Sequence, residues 1–162
     1  LDMSSGLDIL TPKGQQSLEQ EQQFLTAVQV NLKCTIVQTA KDKPASIDGL
    51  ILRDNIIVGI FETKSRVMSY ADLNRFQHEW LITFDKLLNG SEMAKSLAAP
   101  FFGFLHLTKD NVGIIVKLTN ERGEFLPAIR LERTETQRTI NGGIAVRTNA
   151  YVDVRHAFKF LL

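Results

Sequence analysis

The sequence predicts a mixed α/β fold, in which helices flank a central β-sheet and an additional β-rich part follows at the C-terminal end. Residues 11–32 have the apolar spacing of an amphipathic helix, residues 46–64 have the pattern of an apolar β-hairpin, and residues 101–162 contain several short strand-like runs between turn signals. A chain of 162 residues is expected to form one domain. We expect residues 1–10 to be a flexible tail and residues 11–162 to be that domain, with a core over 11–100 and C-terminal strands over 101–162.

The composition narrows the classes of function. A net charge of +1 argues against a protein that simply coats nucleic acid, but it does not exclude a nuclease, because metal-binding carboxylates reduce the total. Cys34 is the only cysteine, so an internal disulfide cannot form and a reducing compartment fits. The sequence has neither an apolar run of membrane-spanning length nor a signal-peptide pattern. We therefore expect an intracellular, cytoplasmic protein without membrane contact.

The first helix is predicted to begin at Thr11 and Pro12, a helix-capping residue followed by a proline at the first helical position. Glu21 lies on the apolar side of this helix and Glu19 on its polar side, so the two compete for a place in a functional site. A short β-branched strand over residues 34–39 follows.

The hairpin over residues 46–64 contains the candidate site. Glu62 and Lys64 are two residues apart on its second strand and therefore share one face. Asp48, on the first strand, joins that face only in one register, which the chain can reach in two ways. The first is a three-residue turn over residues 53–55, which Asn55 permits because it tolerates a left-handed backbone. The second is a bulge at one of the two glycines, residue 49 or residue 59.

In that register, Asp48 and Glu62 can hold a hard cation through carboxylate oxygens, and the Thr63 carbonyl can supply a further ligand. Mg²⁺ is the expected ion, with Mn²⁺ as the substitute. Lys64 would then lie beside the attacking water and stabilise negative charge in the transition state. Glu21 is the candidate for an additional carboxylate.

These residues resemble the motif of the PD-(D/E)XK nuclease superfamily, which has the restriction-endonuclease-like fold. The match consists of Asp48 and the run Glu62-Thr63-Lys64, within a helix–strand–hairpin–helix order over residues 11–90. The resemblance implies Mg²⁺-dependent hydrolysis of DNA, with Asp48 and Glu62 as metal ligands and Lys64 as the catalytic lysine. Ile47 stands where the family has its naming proline, and residues from 101 onward match no subfamily, which leaves the substrate preference open.

Residues 69–89 are predicted to form one helix, starting with a capping box at Ser69 and Asp72 and ending at Asn89-Gly90. Gln77 on this helix is an accessory candidate, because some exonuclease branches of the family have a glutamine there. Strands are then predicted over 101–107, 112–118, 125–131, 144–147 and 151–160, with a polar, flexible segment over 134–143.

Arginine dominates the basic residues near the C-terminal end, and its planar guanidinium suits bidentate contact with phosphate. The segment 130–139 is either a mobile loop that contacts a nucleic-acid strand or a polar edge hairpin with cross-strand ion pairs. The residues predicted to contact nucleic acid are Arg130, Arg133, Gln137, Arg138 and Arg147.

The favoured function is therefore a metal-dependent DNA nuclease, which in this fold often acts as a homodimer. The alternative is a catalytically inactive nucleic-acid-binding or assembly module on the same fold. A third hypothesis, an unrelated α/β interaction domain, would be favoured if Asp48 and Glu62 lay on opposite faces of the sheet.

Overall fold

Two β-sheets and the helices around them make up the fold, and the computed structural model describes residues 11–42, 45–138 and 142–162. The helices are α1 (Pro12–Leu32), α2 (Tyr70–Arg75) and α3 (Phe84–Leu97). The strands are β1 (Thr35–Gln38), β2 (Gly49–Arg53), β3 (Ile56–Arg66), β4 (Glu79–Thr83), β5 (Phe101–Leu107), β6 (Val112–Thr119), β7 (Ile129–Arg138), β8 (Ile144–Asp153) and β9 (Phe158–Leu161). No helix in these ranges is long and apolar enough to cross a membrane.

The larger sheet has six strands in the order β1-β2-β3-β5-β6-β9. Its neighbouring strands pair antiparallel except β3 and β5, which run parallel and are joined through α2, β4 and α3. The smaller sheet has three antiparallel strands in the order β4-β8-β7. The predicted mixed α/β class, with helices flanking a mixed sheet, is confirmed.

Helix α1 covers one face of the six-stranded sheet. It begins as predicted: the Thr11 side chain accepts a hydrogen bond from the backbone N–H of Gly14 at 2.9 Å. Phe24, Leu25 and Val28 of α1 are fully buried in one cluster with side chains of β3, β5, β6 and β9. Burial of this apolar stripe is what orients α1 on the sheet.

The opposite face of the six-stranded sheet packs against α3 and the smaller sheet. Leu87 of α3, Trp80 and Ile82 of β4, and Val152 of β8 are buried together with Ile60 of β3. The central strand β3 is therefore covered on both faces, as the apolar run over residues 56–61 predicts.

The hairpin between β2 and β3 reaches its register through a bulge. Asp54 and Asn55 both have positive φ, of 53° and 62°, and form a two-residue turn of the type that suits right-twisted hairpins. The pairing shifts by one residue where Ile51 pairs with Gly59 but Leu52 pairs with Ile57. The three-residue turn was therefore the wrong alternative, and a bulge next to Gly59 supplies the register instead.

The prediction of one helix over residues 69–89 was wrong. The capping box at Ser69 and Asp72 forms, but α2 ends at Arg75, and Gln77 and His78 adopt left-handed conformations that turn the chain into β4. Trp80 is buried in β4 because β4 pairs with β8, some 70 residues later. Pairing with the distant β8 makes residues 79–83 a strand, and the local apolar spacing does not reveal this pairing.

The C-terminal part also differs from its prediction. The strand expected over 125–131 begins at Ile129 and runs to Arg138, and it pairs antiparallel with β8. Residues 134–138 of the segment expected to be flexible, 134–143, are therefore strand, while residues 139–141 lie outside the described ranges. Strand β7 is the edge of its sheet, which agrees with the polar edge hairpin rather than the mobile loop.

We predict that Gly90→Ala destabilises the protein, although alanine is the better helix former. A Cβ at position 90 would overlap the buried ring of Phe101, and such overpacking costs about 1–3 kcal/mol. The new Cβ would lie well inside van der Waals distance of a ring carbon of Phe101, so we expect the upper part of this range, which exceeds the gain in helix propensity of about 1 kcal/mol. Thermal unfolding measures the effect. Ser96→Ala, at an exposed position of the same helix, is the control and should leave Tm unchanged or slightly higher; equal Tm values for the two variants would contradict the packing.

Candidate active site

The backbone fixes Asp48 at the point where the chain enters β2. The backbone N–H of Asp48 donates to the Phe61 carbonyl at 2.9 Å, and its own carbonyl accepts from the Thr39 N–H at 2.8 Å. The carboxylate of Asp48 then accepts a hydrogen bond from the backbone N–H of Thr63 at 2.8 Å. Asp48 is thus tied to both neighbouring strands, and its side chain has a defined direction.

Glu62 lies directly beside Asp48, on the same face of the sheet. Glu62 is only 3% exposed. Because Gly49 pairs with Phe61, the next pair along the antiparallel ladder is Asp48 and Glu62. Burial raises the pKa of Glu62, and the neighbouring Asp48 carboxylate raises it further. Two carboxylates held this close need a cation, or a shared proton, to be stable.

A cationic side chain that the sequence did not single out contacts this pair. Lys86, near the start of α3, donates from Nζ to Glu62 Oε1 at 2.6 Å. Burial opposes its charge, but the hydrogen bond and the negative charge of Glu62 raise the pKa of Lys86 overall. The sequence signal that could have revealed Lys86 is Thr83 followed by Asp85, a pattern typical of the start of a helix. The prediction of a single helix over residues 69–89 obscured this start.

Lys64 shares a cleft of about 590 Å³ with Glu62 and Lys86. The walls of this cleft come from β3, from β4, from the start of α3 and from residues 146–149 of β8. We call it the catalytic cleft, after the role that the sequence predicts for Glu62 and Lys64. Burial, followed by the charges of Arg66 and Lys86, lowers the pKa of Lys64. The structure therefore brings together Asp48, Glu62 and Lys64, as predicted from strand periodicity, although Asp48 borders Glu62 and does not itself line the cleft.

The position beside Glu62 on the neighbouring strand has no side chain. Glu62 pairs with Gly103 in the parallel ladder, and Trp80 packs where a side chain at position 103 would be. Trp80 is 2% exposed, so a large buried ring fills the space over the ladder position next to Glu62.

A metal ligand set can be assembled from two carboxylates and one carbonyl. Both the N–H and the C=O of a strand residue point to the same side, so the Thr63 carbonyl lies on the Asp48 side of β3. No group of three or more His, Cys, Asp or Glu side chains suited to a metal ion is present in the described part of the chain. The set Asp48, Glu62 and the Thr63 carbonyl fits an ion that takes one or two carboxylates and completes its shell with water and substrate oxygens.

Glu21 lies in a neighbouring but distinct position. It lines a smaller cleft with Thr63, Lys64 and Ser65, on the side where α1 packs. Its carboxylate accepts a hydrogen bond from Lys41 at 2.9 Å. Lys64 lines both clefts, so Glu21 is near the lysine, but its charge is already paired.

The predicted nucleic-acid contacts separate into three groups. Arg147 lines the catalytic cleft, and the exposed Arg133 pairs across the ladder with Thr148, which also lines it. Arg130 is instead held by Glu79 at 3.0 Å and Glu132 at 3.2 Å. The side chains of Gln137 and Arg138 lie outside the part that the structure describes.

Gln77 lies away from the catalytic cleft. It is in the left-handed turn before β4 and lines a second cleft with Trp80 and Arg66. Arg66 lines both this second cleft and the catalytic cleft, a position that the sequence reading missed.

No protein-family model matches this chain, and a search of curated proteins finds no match to it.

We predict that Glu62→Gln stabilises the metal-free protein, and more so at pH 8 than at pH 5. A carboxyl whose pKa is raised on folding contributes stability below its unfolded pKa, about 4.3 for Glu, and this contribution is lost as the pH rises through the folded value. The glutamine amide of the variant does not ionise, so the variant does not lose this stability as the pH rises. Thermal unfolding in EDTA across this pH range checks the effect. Glu92→Gln, at an exposed position of α3, should give no pH-dependent gain; a gain of equal size there would contradict the assignment.

Proposed function

We propose that this protein is a metal-dependent nuclease that hydrolyses phosphodiester bonds of DNA. The observation that supports this most strongly is the carboxylate pair of half-buried Asp48, oriented by the Thr63 N–H, and buried Glu62, with Lys64 two residues further along the same face. A purely structural hairpin gains nothing from burying one acid beside another. A site that binds a divalent cation and a phosphate does gain from such an arrangement, because the cation neutralises the carboxylates.

The element order adds support. Helix α1 precedes three antiparallel strands, and α3 precedes β5, which lies parallel to β3. This order resembles the helix–strand–hairpin–helix arrangement of the PD-(D/E)XK superfamily, with α2 and β4 as additions. The bulge beside Gly59 gives Asp48 and Glu62 the shared face that the resemblance requires.

Each residue of the site has a distinct task under this proposal. Asp48, Glu62 and the Thr63 carbonyl would hold Mg²⁺ or Mn²⁺, which when bound supplies activation of water and neutralisation of phosphate charge. Lys64 would donate to the phosphoryl oxygens on which negative charge develops. Arg147 and Arg133, on the strands beside the catalytic cleft, would bind the phosphates that flank the scissile one.

A second candidate function is a DNA-binding module without turnover. The observation that favours it is the Lys86–Glu62 contact, since Lys86 already neutralises the carboxylate that the metal needs. The two candidates differ in whether a divalent ion displaces Lys86 and whether DNA is then cut.

We predict that Asp48→Asn and Lys64→Ala each lower DNA cleavage in Mg²⁺ or Mn²⁺ by at least about 100-fold, the size of effect seen when a single charge-stabilising group is removed. The asparagine oxygen can still accept from the Thr63 N–H, so the fold should persist. Gel assays with supercoiled, linear and branched DNA, with EDTA as the metal-free reaction, measure the loss, and circular dichroism checks the fold. Lys95→Ala, an exposed lysine of α3, is the matched control. Wild-type cutting by either site variant would exclude the proposal.

We predict that Lys86→Met raises the affinity for Mn²⁺ severalfold in the absence of DNA. The lysine Nζ competes with a cation for Glu62 Oε1, and methionine fills similar space without a charge. Isothermal titration calorimetry with MnCl₂ measures the change, and Lys95→Met controls for loss of a lysine on the same helix. An unchanged or lower affinity in the Lys86 variant would show that Lys86 does not compete with the ion.

A further inference from the structure

We propose that the second cleft, between α2, β4 and β8, binds an unpaired nucleobase of the DNA strand whose phosphate is cut in the catalytic cleft. This inference rests on the proposed function and specifies its substrate class as single-stranded DNA, including frayed or overhanging ends. We call this second cleft the base cleft.

The base cleft has the size and walls of a site for a flat, partly apolar group. It encloses about 480 Å³, and buried Leu73, Trp80 and Leu105 form part of its wall. At its rim, Phe76 is 62% exposed and Leu81 is 41% exposed. Exposing an aromatic ring beside an apolar cavity has a cost in water, and stacking on a base would remove that cost.

Arg66 connects the base cleft with the catalytic cleft. It lines both, and it is half-buried. Its guanidinium donates to the carbonyls of Ser65 and Leu81, each at 3.2 Å, and no carboxylate of the described residues forms an ion pair with it. A half-buried guanidinium that has only neutral acceptors is suited to bind an anion. Burial lowers the pKa of Arg66, which agrees with an uncompensated charge.

The charge around the base cleft is also suited to a nucleotide. Arg66, Arg75 and Arg130 line it together with one carboxylate, Glu79. Arg75 is paired with Asp72, and Arg130 with Glu79 and Glu132, so Arg66 is the arginine of this lining without an ion-pair partner among the described residues. The Arg130 guanidinium lies 4.1 Å from the centre of the Tyr151 ring, and both belong to the wall. Arginine and aromatic planes together form the stacking surfaces that proteins use for unpaired bases.

The spacing of the two clefts permits one strand to occupy both. Glu62, Lys64 and Arg66 follow one another on one face of β3, so the Cα atoms of Glu62 and Arg66 are about 13 Å apart at roughly 3.3 Å per residue. A nucleic-acid strand that runs along this face would place one phosphate at Glu62 and Lys64 and another at Arg66. Its base would enter the base cleft, which a base stacked within a duplex cannot do.

Trp80 allows this inference to be tested without cleavage. It is the only tryptophan of the chain and lines the base cleft, so intrinsic fluorescence reports on that cleft. We expect a short oligothymidylate, titrated in EDTA, to quench this fluorescence saturably. The same strand annealed to oligodeoxyadenylate should bind at least tenfold more weakly.

Phe76→Ala removes the exposed ring at the rim and should weaken binding of the single strand about tenfold. Its matched control is Phe158→Ala, since Phe158 is 53% exposed and lies at a different cleft. Circular dichroism establishes that both variants fold. Equal affinity for single strand and duplex, absence of quenching, or wild-type affinity in the Phe76 variant would overturn the proposal.

A cleavage assay in Mg²⁺ or Mn²⁺ separates this inference from the proposed function. Quenching by the single strand together with loss of binding in the Phe76 variant, but without cleavage of any DNA, would support the base cleft and reject the nuclease. Cleavage by the wild type without any fluorescence response or effect of Phe76→Ala would support the nuclease and reject the base cleft.

Discussion

The pairing of β2 with β3 is the interaction on which the candidate site depends. A two-residue turn alone would place Asp48 opposite Phe61, facing α1. The extra residue beside Gly59 moves the pairing by one position, and a shift of one residue moves every side chain beyond it to the other face. The hydrogen bond from the Thr63 N–H to the Asp48 carboxylate is a direct result. A local irregularity in one strand therefore determines whether two acids meet or lie on opposite sides of the sheet.

The electrostatics of the catalytic cleft follow from this meeting. Buried Glu62 and half-buried Asp48 place two negative charges side by side, and Lys64, Lys86 and Arg66 lie around Glu62. Exposed Asp85 is the other carboxylate of the described residues that lines the cleft. Basic side chains therefore outnumber acidic ones in the lining, which favours the approach of a polyanion, while the Lys86–Glu62 ion pair neutralises charge at the buried carboxylate.

Strand periodicity was sufficient to place Glu62 and Lys64 together, because they are two residues apart on one strand and their shared face needs no tertiary information. The position of Asp48 required the register, which the sequence narrowed to two alternatives. The choice between them depends on how Gly59 and its neighbours pack, since Phe102 lies against Gly59. Helix α1 was predictable because its cap and its apolar stripe are local signals.

The elements that were mispredicted have partners far along the chain. Residues 79–83 have an apolar spacing that fits a helix equally well, and pairing with β8 decides the outcome. Lys86 and Arg66 were missed for the same reason. Lys86 reaches Glu62 only because α3 begins beside β3. Arg66 lines both clefts only because the two sheets pack together. The family resemblance gave roles to matching residues and could say nothing of β4, β7 and β8, which form the walls beyond the motif.

The packing of Trp80 against Gly103 has a consequence for the tolerance of the protein to variation. Gly103 is the neighbour of Glu62 in the ladder, and the absence of a side chain there lets β4 approach the central sheet. One methyl group at this position would push the smaller sheet outward and widen both clefts, since residues of β4 and β8 line each of them. The width of the clefts thus depends on Gly103, which has no side chain. A substitution at this position would impair the candidate site even though all its charged residues were intact.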